Sequence, residues 1–305
     1  MRVAAIDCGT NSIRLLIADM STAGLRDVTR EMRVVRLGQG VDVTGRLDDA
    51  AVRRTWDAVS DYAEQIRQAG AERIRMVATS ASRDAENADV FVAGVMERLG
   101  VAPEVITGTE EADLSFRGAV SVLDVRDRVA VVDIGGGSTE FVVGRRDVEA
   151  AVSEDIGCVR MTERHLRSDP PSQAEISAAV ANIDAAIHDA LSATRFDRAD
   201  RVIGLAGSVT TVAALALGLP EYDSRRIHGS RIPRSQVHAV TMQMLEATRL
   251  QRASEPVMHP GRVDVIGGGA LVLDRILELG GFGEVVVSEH DILDGIALEL
   301  AGAAQ

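Results

Sequence analysis

VAAIDCGTNSIRLLIA (Val3–Ala18) and VAVVDIGGGSTEFVVG (Val129–Gly144) decide the fold of this 305-residue chain. In the first, Val3–Ile6 reads as a buried strand, Asp7–Ser12 as a tight connection and Ile13–Ala18 as a second strand. The second repeats that pattern, with Asp7 falling on Asp133 and Gly9 on Gly135 at an offset of 126 residues. That spacing is too long for a solenoid repeat. It predicts two domains of one topology; the expected bounds are residues 1–122 and 123–305, and a terminal helix at about 290–305 is expected to pack back on the first.

The segments between the repeats alternate strand with helix, which predicts α/β layers. Asp48–Ala69 reads as a helix, because Val52, Trp56, Val59, Ala63 and Ile66 share a face and Gly70 supplies the stop. Ile74–Ala78 and Glu104–Ile106 read as strands, Asn87–Leu99 and Glu110–Val122 as helices. In the second half Ser172 is an N-cap candidate before the apolar stripe Ile176, Val180, Ile183, Ile187 and Leu191. Arg201–Leu205 reads as a strand and Ser235–Leu250 as one helix. Val263–Gly269 reads as a strand end leading into a helix at Ala270–Leu279. Glu284–Ser288 and Asp291–Ala301 close the chain as strand and helix.

Composition narrows the function. The net charge of -13 argues against a nucleic-acid coat, which needs a basic stripe. All 33 basic residues are Arg, so mechanisms built on a Walker or Schiff-base lysine are excluded. Cys8 and Cys158 make no disulfide framework, and neither has a CxxC partner. The six His show no metal-ligand spacing. No run approaches the ~18 apolar residues of a membrane helix. The expectation is a cytoplasmic protein with no nucleic-acid or membrane partner.

The strongest chemical signal is Asp133-Ile134-Gly135-Gly136-Gly137-Ser138-Thr139-Glu140. Consecutive glycines expose backbone N–H groups and let an anion approach closely. Ser138 and Thr139 add hydroxyls, and Asp133 and Glu140 suit a hydrated Mg²⁺. A glycine-rich hairpin with a solvated Glu is the plainer alternative; the matching loop Asp7–Ser12 favours phosphate binding. Of Glu110 and Glu111, adjacent on a helix and about 100° apart, at most one points into a cleft. Arg83 follows a strand, where α/β active-site loops gather. Gly207 and Ser208 open a strand-to-helix turn that is either an anion site or a close backbone contact. Gly267–Gly269 allows the same two readings, with packing preferred.

DCGTNSIRLLIAD, TSASRDAEN, VITGTEEADLSFRGAV, DIGGGSTEFVVG, GCVRMTERHLRSDPP and GLAGSVTTVAAL occur in the order seen in the exopolyphosphatase/guanosine pentaphosphate phosphohydrolase family, which the chain resembles from Met1 to its last helix. The resemblance implies two actin-like, ribonuclease-H-like domains with an interdomain cleft, as in the short two-domain members. It implies Glu111 as catalytic base, with Asp133 and Glu140 tied to Mg²⁺ and the attacking water, and Asp7 as a further acid at the metal. Asn11, Ser12, Arg83 and Gly135–Thr139 (Gly135, Gly136, Gly137, Ser138, Thr139) match the phosphate-contacting groups, to which the turn at Gly207 and Ser208 is added.

The activity implied is hydrolysis of the terminal phosphoanhydride of polyphosphate, short chains preferred, with pppGpp as a second substrate. The alternatives are a kinase-like phosphotransferase of the same superfold, for which no adenine-binding signature is found, and a regulator that binds these ligands with little turnover. A homodimer is the alternative source of a longer binding surface.

Overall fold

The computed structural model describes residues 1–21, 24–121 and 127–302. The chain divides into two compact units, Met1–Ser121 with Ile292–Gln305, and Val122–Asp291. The expected boundary residues Val122 and Ala301–Gln305 fall partly outside the described residues, Val122 and 303–305 among them.

The first unit opens with β1 (Arg2–Cys8), β2 (Ser12–Ser21) and β3 (Gly24–Val34), each antiparallel to the one before. α1 (Val41–Thr44) and α2 (Asp49–Ala69) lead to β4 (Arg73–Ala78), which lies parallel to β1. α3 (Ser80–Asp84), α4 (Ala88–Leu99), β5 (Glu104–Val105) and α5 (Gly108–Val120) follow, giving the sheet order β3-β2-β1-β4-β5.

The second unit repeats the plan. β6 (Val129–Ile134), β7 (Thr139–Gly144) and β8 (Val148–Glu154) form the meander, followed by α6 (Cys158–His165) and α7 (Gln173–Thr194). Then come β9 (Arg201–Leu205), α8 (Ala206–Ala216), α9 (Ser224–Ile227), β10 (Arg231–Pro233), α10 (Arg234–Glu246), α11 (Arg249–Ala253), α12 (Ile266–Leu279) and β11 (Glu284–Val287). The sheet order is β10-β11-β9-β6-β7-β8, with β9 parallel to both β6 and β11. A meander whose first strand is continued by parallel strands thus occurs twice, in a mixed α/β plan. The last helix, α13 (Ile292–Gly302), belongs to the first unit.

Local chemistry explains these elements. α2 begins where the Asp48 side chain accepts from the Ala51 N–H at 3.0 Å and ends at Gly70 in the left-handed region. It buries Val52, Val59, Tyr62, Ala63 and Ile66 against the sheet, each large side chain contributing roughly 1.5–3 kcal/mol. α7 carries a full capping box, Ser172 with Glu175, and buries Ile183 and Ile187. Two expectations are corrected. Ser235–Leu250 is not one helix, because the chain is extended at Ala247 and a new capping box, Thr248 with Gln251, starts α11. Val263–Gly269 is not a strand; the three glycines lie in the first turn of α12, where a Cβ on Gly268 would meet the Cys158 carbonyl oxygen at 2.8 Å. Close packing of α12 on its neighbours is their role, Gly268 against α6, Gly269 chiefly against Ser208 of α8 and Gly267 against α10. Among the described residues no helix is long and apolar enough to cross a membrane.

α13 buries Ile292, Leu293, Ile296 and Ala297 against Val3, Ala5, Leu16 and Leu114. Its Asp294, nearly sealed from solvent, is held by Arg30 Nη2 at 2.7 Å. Gly295 makes the approach to α5 possible, since a Cβ there would lie 2.0 Å from the Leu114 carbonyl oxygen. Gly295→Ala should therefore destabilise the protein by about 1–3 kcal/mol through overpacking, although alanine favours the helix by itself. Thermal unfolding checks this; an unchanged or raised Tm would show that the two helices have room to spare.

Candidate active site

The β6–β7 hairpin sets the geometry in the second unit. Gly135 N–H donates to the Ser138 carbonyl at 3.0 Å, closing the turn. Asp133 and Glu140 are direct cross-strand partners, so their side chains leave the sheet on one face. Both are buried, at 7% and 1% exposure. Ser138 precedes Glu140 by two residues and shares that face. Its Oγ is sealed from solvent and has no hydrogen-bond partner. Ser153, on β8, donates to Glu140 Oε1 at 2.7 Å and orients it. Thr139 points the other way, and its hydroxyl, expected to contact phosphate, donates instead to the Ile156 carbonyl at 2.9 Å.

The turn is fixed from behind by a helix that the sequence reading did not assign. At the start of α6, Cys158 N–H donates to Gly135 O, Val159 N–H to Gly136 O and Gly157 N–H to Gly137 O, at 2.9, 2.9 and 3.1 Å. Arg160 Nε adds a 2.7 Å bond to Gly137 O. A trans peptide points its N–H opposite to its C=O. Tying these three carbonyls to α6 therefore turns the N–H groups of Gly136, Gly137 and Ser138 away from that helix, as a row of donors suited to an anion.

The first unit repeats the device. Gly9 N–H donates to Ser12 O at 3.0 Å, matching the Gly135–Ser138 bond. Here residues 35–38 do the work of α6: Val35 and Arg36 N–H donate to Asn11 O, and Gly38 N–H to Thr10 O. The N–H groups of Asn11 and Ser12 are turned outward by the same reasoning. Thr10 Oγ1 and Ser80 Oγ lie 2.9 Å apart. Asp7 is buried and accepts from Arg14 Nε and Nη2 at 3.0 and 2.7 Å.

Thr107 caps α5, its hydroxyl accepting from Glu110 N–H at 3.2 Å, so the helix starts two residues before the expected Glu110. The two acids diverge. Glu110 pairs at the surface with Arg75 at 3.0 Å. Glu111, 9% exposed, turns inward, where Arg83 Nη1 lies 3.4 Å from its Oε2. The same Nη1 donates to Ile106 O at 3.0 Å, so Arg83 is anchored on α3 beside Glu111 rather than projecting from a loop.

Gly207 and Ser208 lie in the first turn of α8, after Ala206 at φ 67°. Arg262 lies across Gly207, where a Cβ would come within 2.3 Å of its Nη2, and its Nη1 donates to Thr211 Oγ1 at 2.9 Å. Ser208 packs into α12, its Oγ 2.1 Å from where a Gly269 Cβ would sit. These contacts pack the turn closely against Arg262 and α12. Cys8 and Cys158 are buried. Burial raises both thiols, Cys8 further through the neighbouring Asp7 charge, so neither is poised as a nucleophile.

Among the described residues no three His, Cys, Asp or Glu side chains gather to cage a metal ion. Two carboxylates with a buried, unsatisfied Ser138 hydroxyl on the same face do fit Mg²⁺, which keeps several waters and takes one or two carboxylates.

The Ppx/GppA phosphatase family matches residues 16–301. Exopolyphosphatase 2 of Mycobacterium tuberculosis is 52% identical over 99% of each chain. A guanosine-5'-triphosphate,3'-diphosphate pyrophosphatase of Photobacterium profundum is 30% identical over 99% of this chain, which spans 57% of that protein. Among solved structures, an exopolyphosphatase-like protein superposes with a TM-score of 0.97 at 45% identity, covering all of both chains.

Proposed function

This chain belongs to the Ppx/GppA phosphatase family, and from that premise we propose that it is an exopolyphosphatase, a hydrolase that removes the terminal phosphate of inorganic polyphosphate by attack of water. The observation that carries this is the second hairpin: paired, buried Asp133 and Glu140 beside a glycine turn whose N–H groups are aimed outward by α6. Phosphoanhydride hydrolysis needs donors for the equatorial oxygens, an oriented water and a charge clamp. Mg²⁺, held by Asp133 and Glu140, would supply the clamp by neutralising charge on the phosphoryl oxygens.

The remaining roles fall to the chain's own groups. Each turn offers its own row of N–H donors, Gly136, Gly137 and Ser138 in the second unit and Asn11 and Ser12 in the first, able to hold phosphate oxygens without reorganising during reaction. Glu111 orients the attacking water and accepts its proton. Arg83, fixed by Ile106 O, holds the Glu111 carboxylate and contacts phosphate with its remaining donors.

Phosphate release from polyphosphate, pppGpp and ATP, each with and without Mg²⁺, tests the assignment. Metal-dependent release from polyphosphate is expected, with pppGpp slower and ATP slowest. Release only from pppGpp, or tight binding without release, would replace it. Chain length follows from charge. At a net charge of -13, a long polyanion is repelled wherever it leaves the site, within a salt-screened range of ~8–10 Å. Short polyphosphates should therefore show the higher kcat/KM per chain end at fixed free Mg²⁺. Faster, processive degradation of long chains would reverse that preference.

A further inference from the structure

The two hairpins share a turn bond and a register, yet differ at one decisive place. Asp7 pairs across the strands with Arg14, and Asp133 pairs with Glu140. Arg14 and Glu140 are equivalent in the repeat. One pair is therefore formally neutral and the other carries two like charges. In the first unit the Arg14 guanidinium donates twice to Asp7 Oδ2, with side-chain exposures of 20% and 7%.

We infer that Arg14 supplies, inside the first unit, the positive charge that the second unit takes from a divalent cation, so that the chain holds one cation-binding carboxylate pair and Asp7 is not a metal ligand. This rests on the reading that Asp133 and Glu140 take the cation. Arg14 acts as a positioning residue. A fixed guanidinium with two N–H bonds to one oxygen orients Asp7 beside the Asn11 and Ser12 donors without drawing on dissolved metal. The duplicated fold thus retains two phosphate turns but only one metal requirement, and metal affinity depends on the second hairpin alone.

Titration with Mn²⁺, followed by calorimetry and by the loss of its free spin-resonance signal, tests this on the full-length protein. The wild type should bind one Mn²⁺ per chain. Glu140→Gln should weaken that site at least tenfold. Arg14→Gln should keep the site within threefold of wild-type affinity while lowering kcat by about 10–100-fold, as loss of an orienting partner does, and Arg14→Lys should recover part of that loss. Arg14→Glu recreates the acid pair and should add a second Mn²⁺ site.

A wild type that binds no Mn²⁺, or a Glu140→Gln protein that binds it unchanged, removes the metal reading and this inference with it. Intact binding in the wild type and loss in Glu140→Gln, combined with loss of the same Mn²⁺ in Arg14→Gln, sinks the inference alone, because Asp7 and Arg14 would then belong to that cation's site. So would an Arg14→Glu protein with wild-type thermal stability and a single site. If Arg14→Glu fails to fold, Arg14→Gln and Arg14→Lys still decide.

Discussion

Glu111→Gln is expected to lower kcat by about 10²–10⁴, the usual cost of removing a general base, with the fold and anion binding retained. The structural reason is the divergence of two adjacent acids on one helix start. Glu110 is taken by Arg75 at the surface, whereas Glu111 turns inward to Arg83. Glutamine keeps the length of the side chain, and its carbonyl oxygen can still accept from Arg83 Nη1. It cannot accept the proton of an attacking water. The Thr107 cap of α5 uses backbone groups of Glu110 and Glu111 and is untouched by the change. Initial rates on short polyphosphate, with inorganic phosphate binding and a thermal melt as controls, give the answer. Turnover within threefold of wild type would remove Glu111 from the base role. A large loss of phosphate binding alongside the rate would make it a binding residue instead. Glu110→Gln, which alters only an exposed ion pair, should leave the rate near wild type.

The parts of the fold that were legible in the sequence are those where one local signal is sufficient. β1 with β2 and β6 with β7 are apolar runs joined by glycine-containing turns, and α2 carries its cap, stripe and stop within one segment. The third strand of each meander was not read. β3 is GLRDVTREMRV, mostly half-exposed and rich in charge, and among the described residues its one strand neighbour is β2. An edge strand answers to one neighbour, so its sequence is less constrained. The glycines of α12 misled for the opposite reason. Each costs about 1 kcal/mol in a helix relative to alanine, and packing against Cys158 and Ser208 overrides that preference.

The candidate site divides in the same way. Asp133, Glu140 and Glu111 could be picked out by residue type and position. Arg14 was readable in principle, because the repeat sets it opposite Glu140, but it passes for an ordinary polar residue until the hairpin register is known. The α6 contacts had no local signal at all. They join Gly135–Gly137 to residues about 20 positions away, and no periodicity reports a backbone-to-backbone approach of that kind.

That approach carries the second large effect, at Gly157. Its φ of -83° and ψ of 164° are open to any residue, so no glycine is needed for conformation. It is needed for space. A Cβ at this position would lie 2.3 Å from both the carbonyl carbon and oxygen of Gly136, and 2.5 Å from the carbonyl carbon of Gly137. These are backbone atoms, so no side chain can rotate out of the way. Gly157→Ala must push the turn off α6 and break the bonds from Gly157, Cys158 and Val159 that aim its N–H groups. A misplacement of about 1 Å in a positioning element can cost roughly 10²-fold in rate. The expected result is a loss of that order in kcat/KM, with weaker phosphate binding and only a modest fall in Tm, because the hairpin strands Val129–Ile134 and Thr139–Gly144 remain paired. Gly283→Ala is the matched control, since no atom lies within 4 Å of its Cβ position. Unchanged kinetics for Gly157→Ala at wild-type stability would mean that the outward row of N–H groups does not hold substrate, and the glycine turn would lose its place in the mechanism.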